Sequence, residues 1–153
     1  MANFYRDFIE YDPGKIDTTF SAAQSGQMVA VTGMRVWSLC EHHMIPIYCD
    51  SSVAYIADDK VLGLSKYARI AKKHAHNLSL QEKLIADIAS EVRTILGTDD
   101  VAVMGKGEHL CMTMRGAETP HQMVSSSLSG KFLETDTRKE FLSLVNSADK
   151  PRM

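Results

Sequence analysis

Residues 64–97, LSKYARIAKKHAHNLSLQEKLIADIASEVRTILG, decide the architecture, because the periodicity of the chain changes there. Leu64, Tyr67, Ala68, Ala71 and Ala75 recur at helical spacing and make one apolar face. Lys66, Arg69 and Lys73 line a different face, whose plain reading from spacing alone is a solvated one. Ser79-x-x-Glu82 reads as a capping box opening a second helix, with Leu84, Ile85, Ile88, Val92 and Ile95 on its inner side. Gly97 suits the left-handed stop that ends it.

On both sides of this pair the pattern becomes extended. Residues 28–39, MVAVTGMRVWSL, are rich in β-branched and aromatic side chains and read as a strand, with Gly33 a possible bulge. Residues 48–57 read as a second strand, closed by turn residues at 57–60. Residues 101–104 and 110–115 read as a third, interrupted around Gly105-Lys106-Gly107, and residues 122–132 as a fourth. Thr137-x-x-Glu140 suggests another capping box, opening a short helix through Phe141, Leu142 and Val145.

The order ββααββ predicts an α+β fold, a four-stranded antiparallel sheet with helices on one face. Residues 1–26 read as an N-terminal arm, 27–146 as the folded domain and 147–153 as a fraying tail. Such a sheet leaves two edges and much of one face bare, so self-association is expected.

A chain of 153 residues with 44% hydrophobic content fills one domain. Its net charge of −2 excludes nucleic-acid binding by bulk charge. No apolar run reaches the length of a membrane span, and no signal-peptide pattern opens the chain. Three cysteines, two of them in metal-like contexts, fit a reducing cytoplasm better than a disulfide scaffold. Cys49 is the third and reads as a small buried hydrophobe.

The chemistry concentrates in two stretches. Cys40-Glu41-His42-His43 offers a thiolate and two imidazoles, and a C-x-x-H pair can close on one zinc ion. About seventy residues later comes His109-Leu110-Cys111-Met112-Thr113-Met114-Arg115-Gly116. Read as a strand, it puts His109, Cys111, Thr113 and Arg115 on one face. Cys40, one of His42 and His43, and Cys111 then supply three ligands. Three ligands with an open position is the catalytic zinc pattern, in which a bound water titrates near pH 7. A fourth ligand from Cys49, His109 or His121 would instead close a structural site.

Taken together, CEHH (40–43), VLGLSKYARI (61–70), LQEKL (80–84), HLCMTMRG (109–116) and TRKEFL (137–142) resemble GTP cyclohydrolase I of the zinc-dependent class. The resemblance runs over residues 27–146 in the family's order. It implies conversion of GTP to 7,8-dihydroneopterin triphosphate and formate, in the cytoplasm, feeding pterin, folate or deazaguanine synthesis. It also implies the tunnelling fold, whose ββααββ subunits associate into a β-barrel, with two five-membered rings forming a decamer and sites between subunits. By position, the implied zinc ligands are Cys40, His43 and Cys111. The acid/base histidines are His42 and His109, and Ser65 takes part in the later ribose rearrangement. Gln81 and Glu82 match the guanine-binding pair, while Lys66, Arg69 and Arg115 match the triphosphate binders.

Two departures remove positive charge: no T-P-x-R-x-A-K type motif is found near the start, and an arginine-rich turn is replaced by His76-Asn77-Leu78-Ser79. Other readings are a tunnelling-fold enzyme acting on a related purine or pterin, and a non-catalytic nucleotide-binding relative. Retention of His42, His109 and Ser65 favours catalysis, since binding alone needs none of them.

Overall fold

The structure is a computed structural model that describes residues 1–148, so the expected fraying tail lies outside the described residues from 149 onward. The elements are α1 (Ala2–Ile9), β1 (Thr19–Ser21), β2 (Met28–Cys40), β3 (Pro46–Ile56), β4 (Lys60–Leu62), α2 (Leu64–Ala75), β5 (Leu78–Ser79), α3 (Gln81–Leu96), β6 (Val101–His109), α4 (Leu110–Thr113), β7 (Met123–Leu128), a 3-10 turn (Gly130–Leu133) and α5 (Thr135–Ser147).

The main sheet has five strands in the order β5-β2-β3-β6-β7, and not the four expected. Its four long strands pair antiparallel, whereas β5 lies parallel to the end of β2 through Leu39↔Leu78 and Cys40↔Ser79. Two residues are too few to show a strand period, which is why β5 is silent in the sequence. A separate pair, β1 with β4, ties the N-terminal segment to the start of α2.

Helices cover both faces, which corrects the one-sided arrangement. Val53, Tyr55, Val101 and Val103 pack with Ile70, Ala71, Leu84, Ile88 and Val92 of α2 and α3. Their alternating neighbours Ala54, Ile56, Ala102 and Met104 face the other way, onto Phe132, Phe141 and Val145. The α5 helix therefore closes one end of the second face. Near the other end Trp37 and Val124 stay exposed. Burying each large aliphatic side chain in these clusters contributes about 1.5–3 kcal/mol.

Gly33 takes φ +65°, where the β2–β3 register shifts between Val31 and Met34, as a bulge requires. Gly97 ends α3 at φ +67°, its N–H donating to Arg93 O at 2.8 Å. Neither capping box forms. Ser79 is committed to β5, its hydroxyl donating to Leu80 O at 3.1 Å, and Leu80 is the residue before α3. Thr137 lies inside α5, which Glu134 precedes.

The expected break at Gly105-Lys106-Gly107 is also absent, since β6 runs unbroken from Val101 to His109. These glycines let α3 lie close on the strand. A Cβ on Gly105 would sit 2.6 Å from Ile85 Cδ1 and 2.7 Å from Cys49 Sγ. Gly105→Ala is expected to cost about 1–3 kcal/mol through overpacking. The check is urea unfolding, where the midpoint should fall at unchanged slope; an unshifted midpoint would show that the helix yields freely. Cys49 itself is 1% exposed, and burial raises its thiol pKa to about 12, as befits an inert core residue.

Candidate active site

Four chain segments meet at one end of the main sheet. The register places Cys40 beside Ser79 and Ile47 beside His109, so the end of β2, the start of β3, the end of β6 and the entry to α3 adjoin. The turn between β2 and β3 curls back on itself. Cys40 O accepts the N–H of His43 at 3.3 Å and of Met44 at 2.7 Å, while Cys40 N donates to Ile45 O at 2.9 Å. Met44 adopts φ +56° to complete it, a left-handed conformation costing a non-glycine residue about 1–2 kcal/mol. The result brings His43 Nδ1 to 3.6 Å from Cys40 Sγ.

Cys111 reaches the same point from α4. Residues 110–113 form a single helical turn, which overturns the reading of 110–115 as a strand continuing with alternating faces. Thr113 Oγ1 donates to Glu108 Oε1 at 2.7 Å, and Tyr48 OH donates to Glu108 Oε2 at 2.8 Å. These two bonds hold the Glu108 carboxyl below its usual range, first through Thr113 and then through Tyr48. The Glu108 carboxylate thereby anchors the turn that carries Cys111, a connection the sequence did not signal.

The ligand atoms of Cys40, His43 and Cys111 all lie within 4.8 Å of one another. Zinc bonds of about 2.3 Å to sulfur and 2.0–2.1 Å to nitrogen, at a tetrahedral angle, separate the two atoms by about 3.6 Å. The Cys40–His43 spacing meets that requirement, and the mix of two thiols and one imidazole suits zinc. Burial raises the Cys111 thiol pKa, and the neighbouring Cys40 adds to the rise. Cys40 is buried, Cys111 half-buried and His43 exposed, so the group opens outward.

His109 ends β6 beside this group. Its Nε2 lies 3.3 Å from Gln81 Oε1, within one chain. Burial lowers its pKa, His121 lowers it further and Glu82 opposes both. Exposed Glu82, one residue into α3, thus stands close enough to act on His109. His42 projects into solvent, its ring centroid 6.1 Å from that of His43 and its Nε2 4.0 Å from Glu41 Oε1. Exposed Arg115 follows α4, near enough to Cys111 to influence its thiol.

Ser65, Lys66 and Arg69 are placed elsewhere. They occupy the first turns of α2, whose other end leads into β5 beside Cys40. Ten residues of helix separate Ser65 from Ala75, about 15 Å along the axis. Lys66 Nζ donates to Lys15 O at 2.8 Å, and Arg69 Nη1 to Pro13 O at 2.8 Å. Lys73, the third member of that stripe, pairs with Glu91 at 2.6 Å. The altered turn at 76–79 has structural work instead of charge. His76 lies between the rings of Phe8 and Tyr11, each centroid 4.3 Å away, and its Nδ1–H donates to Phe8 O at 2.9 Å. Asn77 O accepts from Leu39 N at 3.3 Å, fixing β5 against β2.

Comparison with known proteins gives concordant results. The sequence model of the family described as GTP cyclohydrolase I matches residues 1–146, so the matched span takes in the N-terminal segment as well. The chain is 40% identical over 152 residues to GTP cyclohydrolase 1 of Sulfurihydrogenibium sp. (strain YO3AOP1), covering 98% of this chain and 81% of that protein. It is 39% identical over 153 residues to GTP cyclohydrolase 1 of Campylobacter lari, covering 97% and 80%. Among solved structures, the apo form of the archaeosine synthase QueF-Like superposes with a TM-score of 0.55 at 21% identity, covering 70% of this chain and 97% of that one. The last likeness is one of fold.

Proposed function

The chain belongs to the GTP cyclohydrolase I family, and from that premise we infer that it opens the guanine ring of GTP by hydrolysis and yields 7,8-dihydroneopterin triphosphate and formate. The observation that carries this reading is the convergence of Cys40, His43 and Cys111, with ligand atoms within 4.8 Å, beside His109 and the start of α3. One water is consumed overall, and C8 of the base leaves as formate.

Zinc held by Cys40, His43 and Cys111 would supply a Lewis acid that makes water nucleophilic at neutral pH. The Glu82 carboxylate accepts from N1–H and the 2-amino group of guanine, a pairing that rejects bases lacking those donors by up to 10⁴–10⁵, roughly. Gln81 precedes it as the first residue of α3. His109 delivers a proton to the guanine ring as water adds to C8 and the C8–N bond breaks. His42, exposed beside the metal ligands, serves opening of the ribose, and Ser65 serves the later rearrangement. Arg115 from the metal side and Lys66 and Arg69 from α2 hold the triphosphate. Lys66 and Arg69 each donate one hydrogen bond to a backbone carbonyl, leaving further N–H donors for phosphate oxygens.

Ser65 lies too far along α2 to serve the metal group of its own chain, so Ser65, Lys66 and Arg69 act in the site of a neighbouring copy. Among the described residues, β7 has a strand partner on one side only, and β2 has none on its outer side before Leu39. Pairing such edges between copies closes a barrel, and a decamer of two rings is the expected assembly. Mixing His109→Ala chains with Ser65→Ala chains after dissociation should restore part of the lost turnover. Mixed assemblies that stay as inactive as either parent, or a monomer with full activity by light scattering, would refute the shared site.

The activity itself is tested by incubating zinc-loaded protein with GTP and following formate and the fluorescence of the oxidised pterin. Binding of GTP without either product would favour a nucleotide-binding relative.

A further inference from the structure

The Gln81 side chain does not reach outward from the start of α3. It is 1% exposed and turned into the sheet, where its Nε2 lies 3.2 Å from Gly105 O, 3.0 Å from Met123 O and 3.0 Å from Ser125 Oγ. Backbone carbonyls can only accept, so the atom facing them must be the amide NH₂. That assignment leaves Oε1 as the atom 3.3 Å from His109 Nε2. An amide oxygen is likewise only an acceptor, so the bond exists only when His109 Nε2 carries the proton. The carboxamide orientation therefore determines the imidazole tautomer.

The backbone around this bond is shaped for it. A Cβ on Gly107 would fall 2.4 Å from Gln81 Oε1, so only glycine leaves room for the carboxamide there. Gly105 and Met123 contribute their carbonyls from β6 and β7, two strands paired through Gly105↔Ser125 and Gly107↔Met123. The Gln81 side chain thus crosses two strands and ends on the histidine.

We propose that Gln81 is a positioning residue: its amide oxygen keeps a proton on His109 Nε2, so that Nδ1 is the nitrogen that takes up a second proton, gives it to the substrate and returns to the neutral Nε2–H tautomer. This rests on His109 being the group that protonates the guanine ring. It moves the side chain of Gln81 from substrate contact to orientation of the acid, while Glu82 keeps the base-pairing role.

Two measurements on the zinc-loaded protein test it. The first is ¹⁵N NMR of the histidine rings, with His109 assigned by its loss in His109→Ala. The expected spectrum shows the proton on Nε2; a proton on Nδ1 would overturn the proposal. The second is Gln81→Met, which keeps length and apolar volume but removes both polar ends. Groups that orient a metal-bound histidine typically matter by about 10–100-fold, and a loss of that order is expected for this acid/base histidine, in kcat for GTP, with KM and zinc content unchanged. A raised KM at unaltered kcat would mark Gln81 as a substrate contact and defeat the assignment. Should Gln81→Met not fold, the wild-type spectrum decides by itself. Failure of the wild-type protein to release formate would remove the catalytic reading and leave the tautomer standing, so the two are separable.

Discussion

Replacing Cys111 by alanine is expected to abolish both zinc content and turnover. Cys111 is one of three residues that could hold a metal ion, their donor atoms within 4.8 Å of one another although they come from segments far apart in the chain. Cys40 and His43 alone form a two-point contact on an exposed turn, and two protein ligands do not hold zinc against bulk water. Activity should therefore fall to the uncatalysed background, and metal analysis of the purified variant should find far less than one zinc per chain. The fold should survive, because Cys111 lies outside both hydrophobic clusters. A folded variant retaining stoichiometric zinc and normal turnover would refute the ligand set.

His109→Ala should behave differently, keeping zinc and losing ring opening. Its ring Nε2 lies 3.3 Å from Gln81 Oε1, and the ring is not a member of the cysteine–histidine group. Loss of a positioned acid/base typically costs about 10²–10⁴ in rate. Metal analysis and turnover on one preparation separate the outcomes. Zinc lost along with activity, in a folded variant, would make His109 a fourth ligand and turn the site into a closed structural one.

The parts of this site that were legible in the sequence are those written in local spacing. The Cys40-x-x-His43 pair, the helical faces of residues 64–97 and the Gly97 stop each depend on neighbours within a few residues. Residues 109–115 misled because alternating polar and apolar residues fit a strand, while a four-residue helical turn is too short to show any period. What fixes that turn is Glu108, held by Tyr48 from another strand, a tertiary contact. The two glycines of β6 did carry a signal. Glycine inside a strand marks a bulge or a close approach, and here it is the approach of α3, with Gln81 lodged over Gly107.

Order along the chain does not show that Ser65, Lys66 and Arg69 sit at the end of α2 away from β5 and Cys40. The length of α2 sets them apart from Cys40. Lys66 and Arg69 rest instead on the carbonyls of Lys15 and Pro13, beside Gly14 at φ +63°. A Cβ there would lie 2.6 Å from Arg69 Nη1, so the N-terminal segment and the basic face of α2 fit each other closely.

Hydrolysis of the guanine ring at C8 is tested by following that carbon. Zinc-loaded protein is incubated with GTP carrying ¹³C at C8, and the label is observed by NMR. The purine signal is expected to give way to formate, with one formate for each pterin triphosphate formed. Label that stays in the purine, in protein that binds both zinc and GTP, would contradict it.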